Sequence, residues 1–245
     1  MTKYKITIEY EGTNFVGWQK QNNGPSIQSS IETAVLNLSN ENVTIFGAGR
    51  TDAGVHAKGQ VAHFDINKEL SLDTISDGLN NYLKNLSISI IKTEIVDKNF
   101  NARFSAKQRQ YQYRIVNRRP PLTFEKNLAW GIFKTLNIKE MKKATKYFIG
   151  KHDFNAFRSI NCQSSSSIKT INSLEIKDQT DNIFVNVSAK SFLHSQVRII
   201  VGTLVDIGKG KIKADEVKQI IDSKDRSRAG PTAPAHGLYL IKVDY

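Results

Sequence analysis

An acid set among glycines, with an arginine before it and a histidine after it, is the arrangement in this chain best suited to chemistry. Residues 47–64 read GAGRTDAGVHAKGQVAHF, so Asp52 follows Arg50 by two positions and precedes His56 by four. Gly47, Gly49 and Gly54 permit tight or positive-φ turns around these polar groups. A carboxylate held in such a loop serves as a nucleophile or a base, and the arginine beside it can hold a phosphate. The alternative is a turn-forming Asp that bonds its own backbone. The length of the loop, its basic residue and the apolar strand after it weigh against that reading.

A second candidate stands far along the chain. In the apolar run from Phe192 to Val205, Arg198 has Val197, Ile199, Ile200 and Val201 as neighbours. A guanidinium there is costly unless a carboxylate or phosphate accepts its donors. A structural salt bridge would satisfy it, and Asp52 is the otherwise unexplained acid. Tyr111 and Tyr113 share one face of the alternating segment RQYQYRI. They either fill a core with their hydroxyls at its rim or stack on bases. Lys20, in the stretch Trp18 to Gln21, can reach a phosphate, while Trp18 itself reads as core. His56, His63, His152 and His194 have no metal-ligand spacing, and the single Cys162 fits neither a metal nor a redox pattern. No metal site is expected.

The elements that must position these residues follow from periodicity. Lys3 to Tyr10 alternates as a strand. A helix through Ile27, Ile31, Ala34, Val35 and Leu38 is capped by Ser26 or Ser29, with Glu32 completing a box from Ser29. Val43 to Phe46 leads into the Asp52 loop and Gln60 to Ile66 leads out of it. A helix from Leu72 to Leu86 and a strand from Ile88 to Val96 complete a split βαβ-like half. The division falls near residues 100–105, giving residues 1–104 with the acid loop and residues 105–245 with the tyrosine strand and the arginine helix. In the second half the sequence predicts a helix from Asn137 to Gly150 with Lys139, Lys142, Lys143 and Lys146 on its outer face. A polar stretch, 151–169, reads as a mobile surface loop that orders on a partner. A strand over 183–189, a helix through Phe192 to Val205, a short helix around Val217 and Ile220, and a final strand over 237–245 follow.

Composition bounds the function. The 245 residues are 39% hydrophobic and 24% charged, an ordinary globular balance. No window reads as a membrane span, and the N-terminal residues enter a strand pattern without the apolar core of a signal peptide, so a cytoplasmic protein is expected. The formal charge of +12 attracts a polyanion at long range, which makes nucleic acid the first candidate partner.

Four separated motifs resemble those of the tRNA pseudouridine synthase A family: GRTDAGVHAKGQVAHF at 49–64, RQYQYRI at 109–115, FLHSQVRIIVGTL at 192–204 and KDRSRAGPTAPAHGLYLIKVDY at 224–245. They stand in the family's order, and the resemblance runs from the first strand to the last residue. It implies an α+β fold, with a mixed, mainly antiparallel sheet and flanking helices in two related halves around a basic cleft. It implies conversion of uridine to pseudouridine at positions 38, 39 and 40 in the anticodon arm of tRNA, without cofactor or metal, by a homodimer. Asp52 would be the catalytic aspartate, Arg198 the arginine that pairs with it and Tyr111 the ring against the target uracil. Arg50 and Lys20 are candidates for phosphate contacts. Two rival classes are weighed against this reading. A non-catalytic basic RNA-binding protein would gain nothing from an ionised acid that repels phosphate. An RNA hydrolase would need a second acid or a metal beside Asp52.

Overall fold

Alternation in the first residues buries Tyr4, Ile6, Ile8 and Tyr10 on one face of a strand, β1 (Thr2–Tyr10). The structure, a computed structural model, describes residues 1–245 and divides by contact into two units. Unit 1 comprises Met1–Lys107 and Tyr239–Tyr245; unit 2 comprises Gln108–Leu238. Ten strands, mostly antiparallel, and five helices make the fold α+β, as the resemblance implied.

In unit 1, β1 is followed by α1 (Ile27–Ser39), β2 (Phe46–Gly47), β3 (His56–Ile66), α2 (Leu72–Leu83) and β4 (Ile88–Ile95), the order read from the sequence. β1 lies between β3 and β4 and is antiparallel to both, while β2 pairs with the start of the β3 apolar run. Ile31 and Val35 of α1 and Ile75 and Leu79 of α2 are fully buried, which is the apolar stripe of each helix. The N-cap of α1 is Ser26, and its box partner is Ser29 rather than Glu32. Glu32 instead accepts from Gln28 Nε2 and from the backbone N–H of Ile45. That second bond takes a donor a ladder would need, which explains why the strand expected from Val43 is only two residues long.

Unit 2 contains β5 (Gln108–Asn117), β6 (Trp130–Ile132), α3 (Ile138–Thr145), β7 (Gly150–Asp153), β8 (Ile168–Gln179), β9 (Asn182–Ala189), α4 (Gln196–Gly208) and α5 (Glu216–Ser223). β9 lies between β5 and β8, antiparallel to both; β7 extends the ladder beyond β8, and β6 runs parallel to β5. Three expectations are corrected here. α3 ends at Thr145, and Phe148 is buried from the turn that follows it. The stretch 151–169 is no uniform mobile loop: its start lies in β7, and Phe154 and Phe157 are fully buried around a short 3-10 turn. The Phe157 ring stands edge-on to those of Phe154 and Phe148, so aromatic burial holds a segment whose composition is polar. Phe192 and Leu193 precede α4 instead of lying in it, and Ser195 turns the chain into the helix at φ 60°.

The last strand, β10 (Leu238–Asp244), returns to unit 1. It runs parallel to β3 with Tyr239 opposite His56 and Leu240 opposite Ala57, and the Lys107 N–H donates to the Asp244 carbonyl at 2.8 Å.

Candidate active site

The Asp52 loop leaves β2 and enters β3, and hydrogen bonds from main chain and side chains fix it at several points. Ala48 N donates to Val61 O at 2.7 Å, and the buried Gln60 side chain donates to Gly49 O at 2.9 Å. Thr51 is held from two sides: its hydroxyl is 2.8 Å from the Tyr10 hydroxyl at the end of β1, and its carbonyl accepts from Trp18 N at 3.1 Å. Val55 N then donates to Asp52 O at 3.1 Å, closing a turn in which Gly54 takes φ +76°. Only a residue without Cβ adopts that backbone cheaply. Asp52 is therefore half-buried between two buried neighbours, Thr51 and Val55, on a loop with little freedom to move.

His56 extends this frame. Its Nδ1 accepts from Gly12 N at 3.0 Å, its ring lies 4.8 Å from that of Tyr239, and only 1% of it is exposed. An accepting Nδ1 carries no proton, so the Glu11 carboxylate 3.5 Å away is a neighbour and not its ion-pair partner. Gly12 and Trp18 thus bring the segment after β1 against the loop. Trp18 is core, 3% exposed, as its type suggested. Lys20 and Arg50 are both exposed, and the Lys20 ammonium stands 3.7 Å from Glu32.

In unit 2, Tyr111 and Tyr113 occupy the same face of β5 and are both buried. Tyr111 keeps a thin exposed edge and meets Phe192 edge-on, with ring centroids 5.3 Å apart. Tyr113 has none, and its hydroxyl donates to Pro234 O at 2.7 Å. Burial pushes its phenol far above the ordinary tyrosine range, with a smaller opposing pull from the Arg198 charge. Arg198 is the one residue of α4 that is half-buried rather than buried. Its Nε donates to Ala233 O at 2.7 Å, and its own carbonyl accepts from Ala233 N at 3.1 Å.

Each unit therefore collects part of the predicted set. Arg50 and Asp52 share one loop of unit 1, to which the Lys20 segment is tied through Trp18; Tyr111 and Arg198 stand on β5 and α4 of unit 2. Sequence reasoning passed over Tyr10, Thr51 and Ala233. The first two hold the acid loop through a hydroxyl pair, and a tyrosine closing a buried strand face was the available signal. Ala233 acts through its backbone, which its side chain does not announce.

A family model described as tRNA pseudouridine synthase matches residues 6–105 and 144–245, so Asp52 and Arg198 fall inside the matched segments and Tyr111 between them. Proteins named tRNA pseudouridine synthase A are similar over almost the whole chain. That of Wolbachia pipientis wMel is 50% identical over 244 residues, covering 99% of this chain and 100% of the relative. That of Ehrlichia chaffeensis (strain ATCC CRL-10679 / Arkansas) is 51% identical with the same coverage, and that of Anaplasma phagocytophilum (strain HZ) is 50% identical over 245 residues, again with 99% and 100% coverage.

Proposed function

The chain belongs to the tRNA pseudouridine synthase family, and on that premise we propose that it isomerises uridine to pseudouridine at positions 38, 39 and 40 in the anticodon arm of tRNA. The observation that carries the reading is half identity, end to end, with relatives named tRNA pseudouridine synthase A. The net charge of +12 suits a polyanionic substrate.

The reaction breaks the bond from N1 to C1′, turns the base while it stays bound, forms a bond from C5 to C1′, and exchanges the C5 proton for one on N1. Asp52 is the reacting carboxylate, attacking the sugar or the base or taking the 2′ proton. A loop fixed by Tyr10, Trp18 and Val55 suits that role, because a group held in place avoids reorganisation in the transition state. Arg198 supplies the cation that pairs with the carboxylate. Tyr111 lies against the uracil through its ring. Arg50 and Lys20 contact phosphates, with Lys20 exchanging Glu32 for the RNA. Extruding the nucleotide costs on the order of a few kcal/mol, offset by contacts in the pocket. The working form is a homodimer in the cytoplasm; no helix is long and apolar enough to cross a membrane.

Tritium release from tRNA carrying 5-tritiated uridine tests the assignment. The wild type is expected to release tritium from the anticodon arm, and Asp52→Asn to bind tRNA equally well without release. Release by Asp52→Asn would remove Asp52 from the chemistry. Binding without release by the wild type would leave a basic RNA-binding protein.

A further inference from the structure

Arg198 is gripped at both ends by one short loop of unit 2. Its carbonyl accepts from Ala233 N and its Nε donates to Ala233 O, so main chain and side chain close on the same residue. One residue further, the Pro234 carbonyl accepts from the Tyr113 hydroxyl. On the other side, Gly230 N donates to Thr203 Oγ1 at 2.9 Å. The loop therefore crosses α4 between two hydroxyl anchors, with Ala233, itself fully buried, at its centre.

We propose that Tyr113 is a positioning residue for the isomerisation: its hydroxyl holds the Pro234 carbonyl, which fixes Ala233 and, through the Ala233 carbonyl, the plane of the Arg198 guanidinium. A phenylalanine would fill the same fully buried volume, so packing gives no reason for the hydroxyl. Its bond to the loop does, since Pro234 O would otherwise be left without that donor. An arginine offers a carboxylate two donors in a rigid fork, and the bond at Nε sets where that fork points. The inference rests on the reading that Arg198 serves the reaction.

Single-turnover rates at saturating tRNA, measured well below the unfolding temperature, test it. Tyr113→Phe is expected to slow the chemical step by on the order of 10-fold, the scale of a small misplacement, with tRNA affinity unchanged. Tyr4→Phe is the matched control. Tyr4 is equally buried, and its hydroxyl donates to Leu70 O at 2.7 Å and accepts from Leu70 N at 2.9 Å, in a part of unit 1 to which no role in the reaction is assigned. It should lower Tm comparably and leave the rate alone. Ala233→Gly keeps the carbonyl but loosens it; it should show a smaller loss of the same kind and covers the case in which Tyr113→Phe does not fold. A wild-type rate in both Tyr113→Phe and Ala233→Gly overturns the proposal, as does an equal slowing by Tyr4→Phe or a proportionate loss of tRNA affinity. Arg198→Lys separates the two levels. If that variant turns over normally, the reading of Arg198 itself fails; if it alone is slow, only the positioning by Tyr113 fails.

Discussion

His63 lies in the middle of β3 with 3% of its surface exposed, stacked on Phe46 and edge-on to Phe100. Its Nδ1 accepts from Ala102 N at 3.1 Å, a bond that only an unprotonated Nδ1 can accept. Burial chiefly lowers its pKa below the ordinary 6.5, Lys3 adds to the effect, and Asp65 opposes it. A histidine whose folded pKa is depressed contributes fully above its unfolded pKa, because the unfolded chain then gains no proton. That contribution is lost as pH falls below the unfolded pKa toward the folded one. Tm should therefore drop on acidification through the range just below 6.5. His63→Asn keeps an acceptor near Nδ1 and does not titrate, so its Tm should be lower at neutral pH and fall less steeply with acid. A profile parallel to the wild type would exclude His63 as a source of the slope. Asp52, by contrast, is understood through its neighbours: the acid was legible from type and spacing, but the Tyr10–Thr51 hydroxyl pair that holds its loop joins positions far apart in sequence.

At the scale of elements, α4 and the loop over residues 229–234 depend on Gly202. A Cβ at that position would sit 1.7 Å from the Pro231 carbonyl, a backbone atom that cannot swing aside like a side-chain end. Gly202→Ala should cost about 1–3 kcal/mol, as overpacking does, and should also lower turnover, because the displaced loop contains Ala233. Thermal unfolding and single-turnover rates measured on one preparation check this; a Tm shift with an unchanged rate would separate the loop from the reaction. Elements with clean periodicity were legible in the sequence, which is why β1, α1, β5 and β9 stand where alternation or helical spacing put them; β3 begins at His56, ahead of the expected Gln60, and α2 ends at Leu83, short of the exposed Leu86. β8 was not. Its register shifts between Ile171 and Ser173, so its buried residues Ile171, Leu174 and Ile176 do not alternate and the strand signal disappears. β7 and the 3-10 turn after it were hidden differently: Phe154 and Phe157 are isolated apolar residues in a polar stretch, and only tertiary burial shows what they do.

Across the whole molecule the excess of 35 Lys and Arg over 23 Asp and Glu should make tRNA binding steeply salt-dependent. Arg50→Ala and Lys20→Ala should each reduce the slope of log affinity against log salt by about 1 if they meet a phosphate. An unchanged slope would return Lys20 to its place beside Glu32 as a surface ion pair. β10 adds a different kind of consequence. The strand that lies along β3 and puts Tyr239 against His56 is translated only after all of unit 2. A ribosome that has delivered the first 107 residues has delivered an unfinished unit, and the histidine behind the acid loop waits for the ring on which it leans. The order of synthesis thus makes the Asp52 loop one of the first segments to emerge and one of the last to be completed.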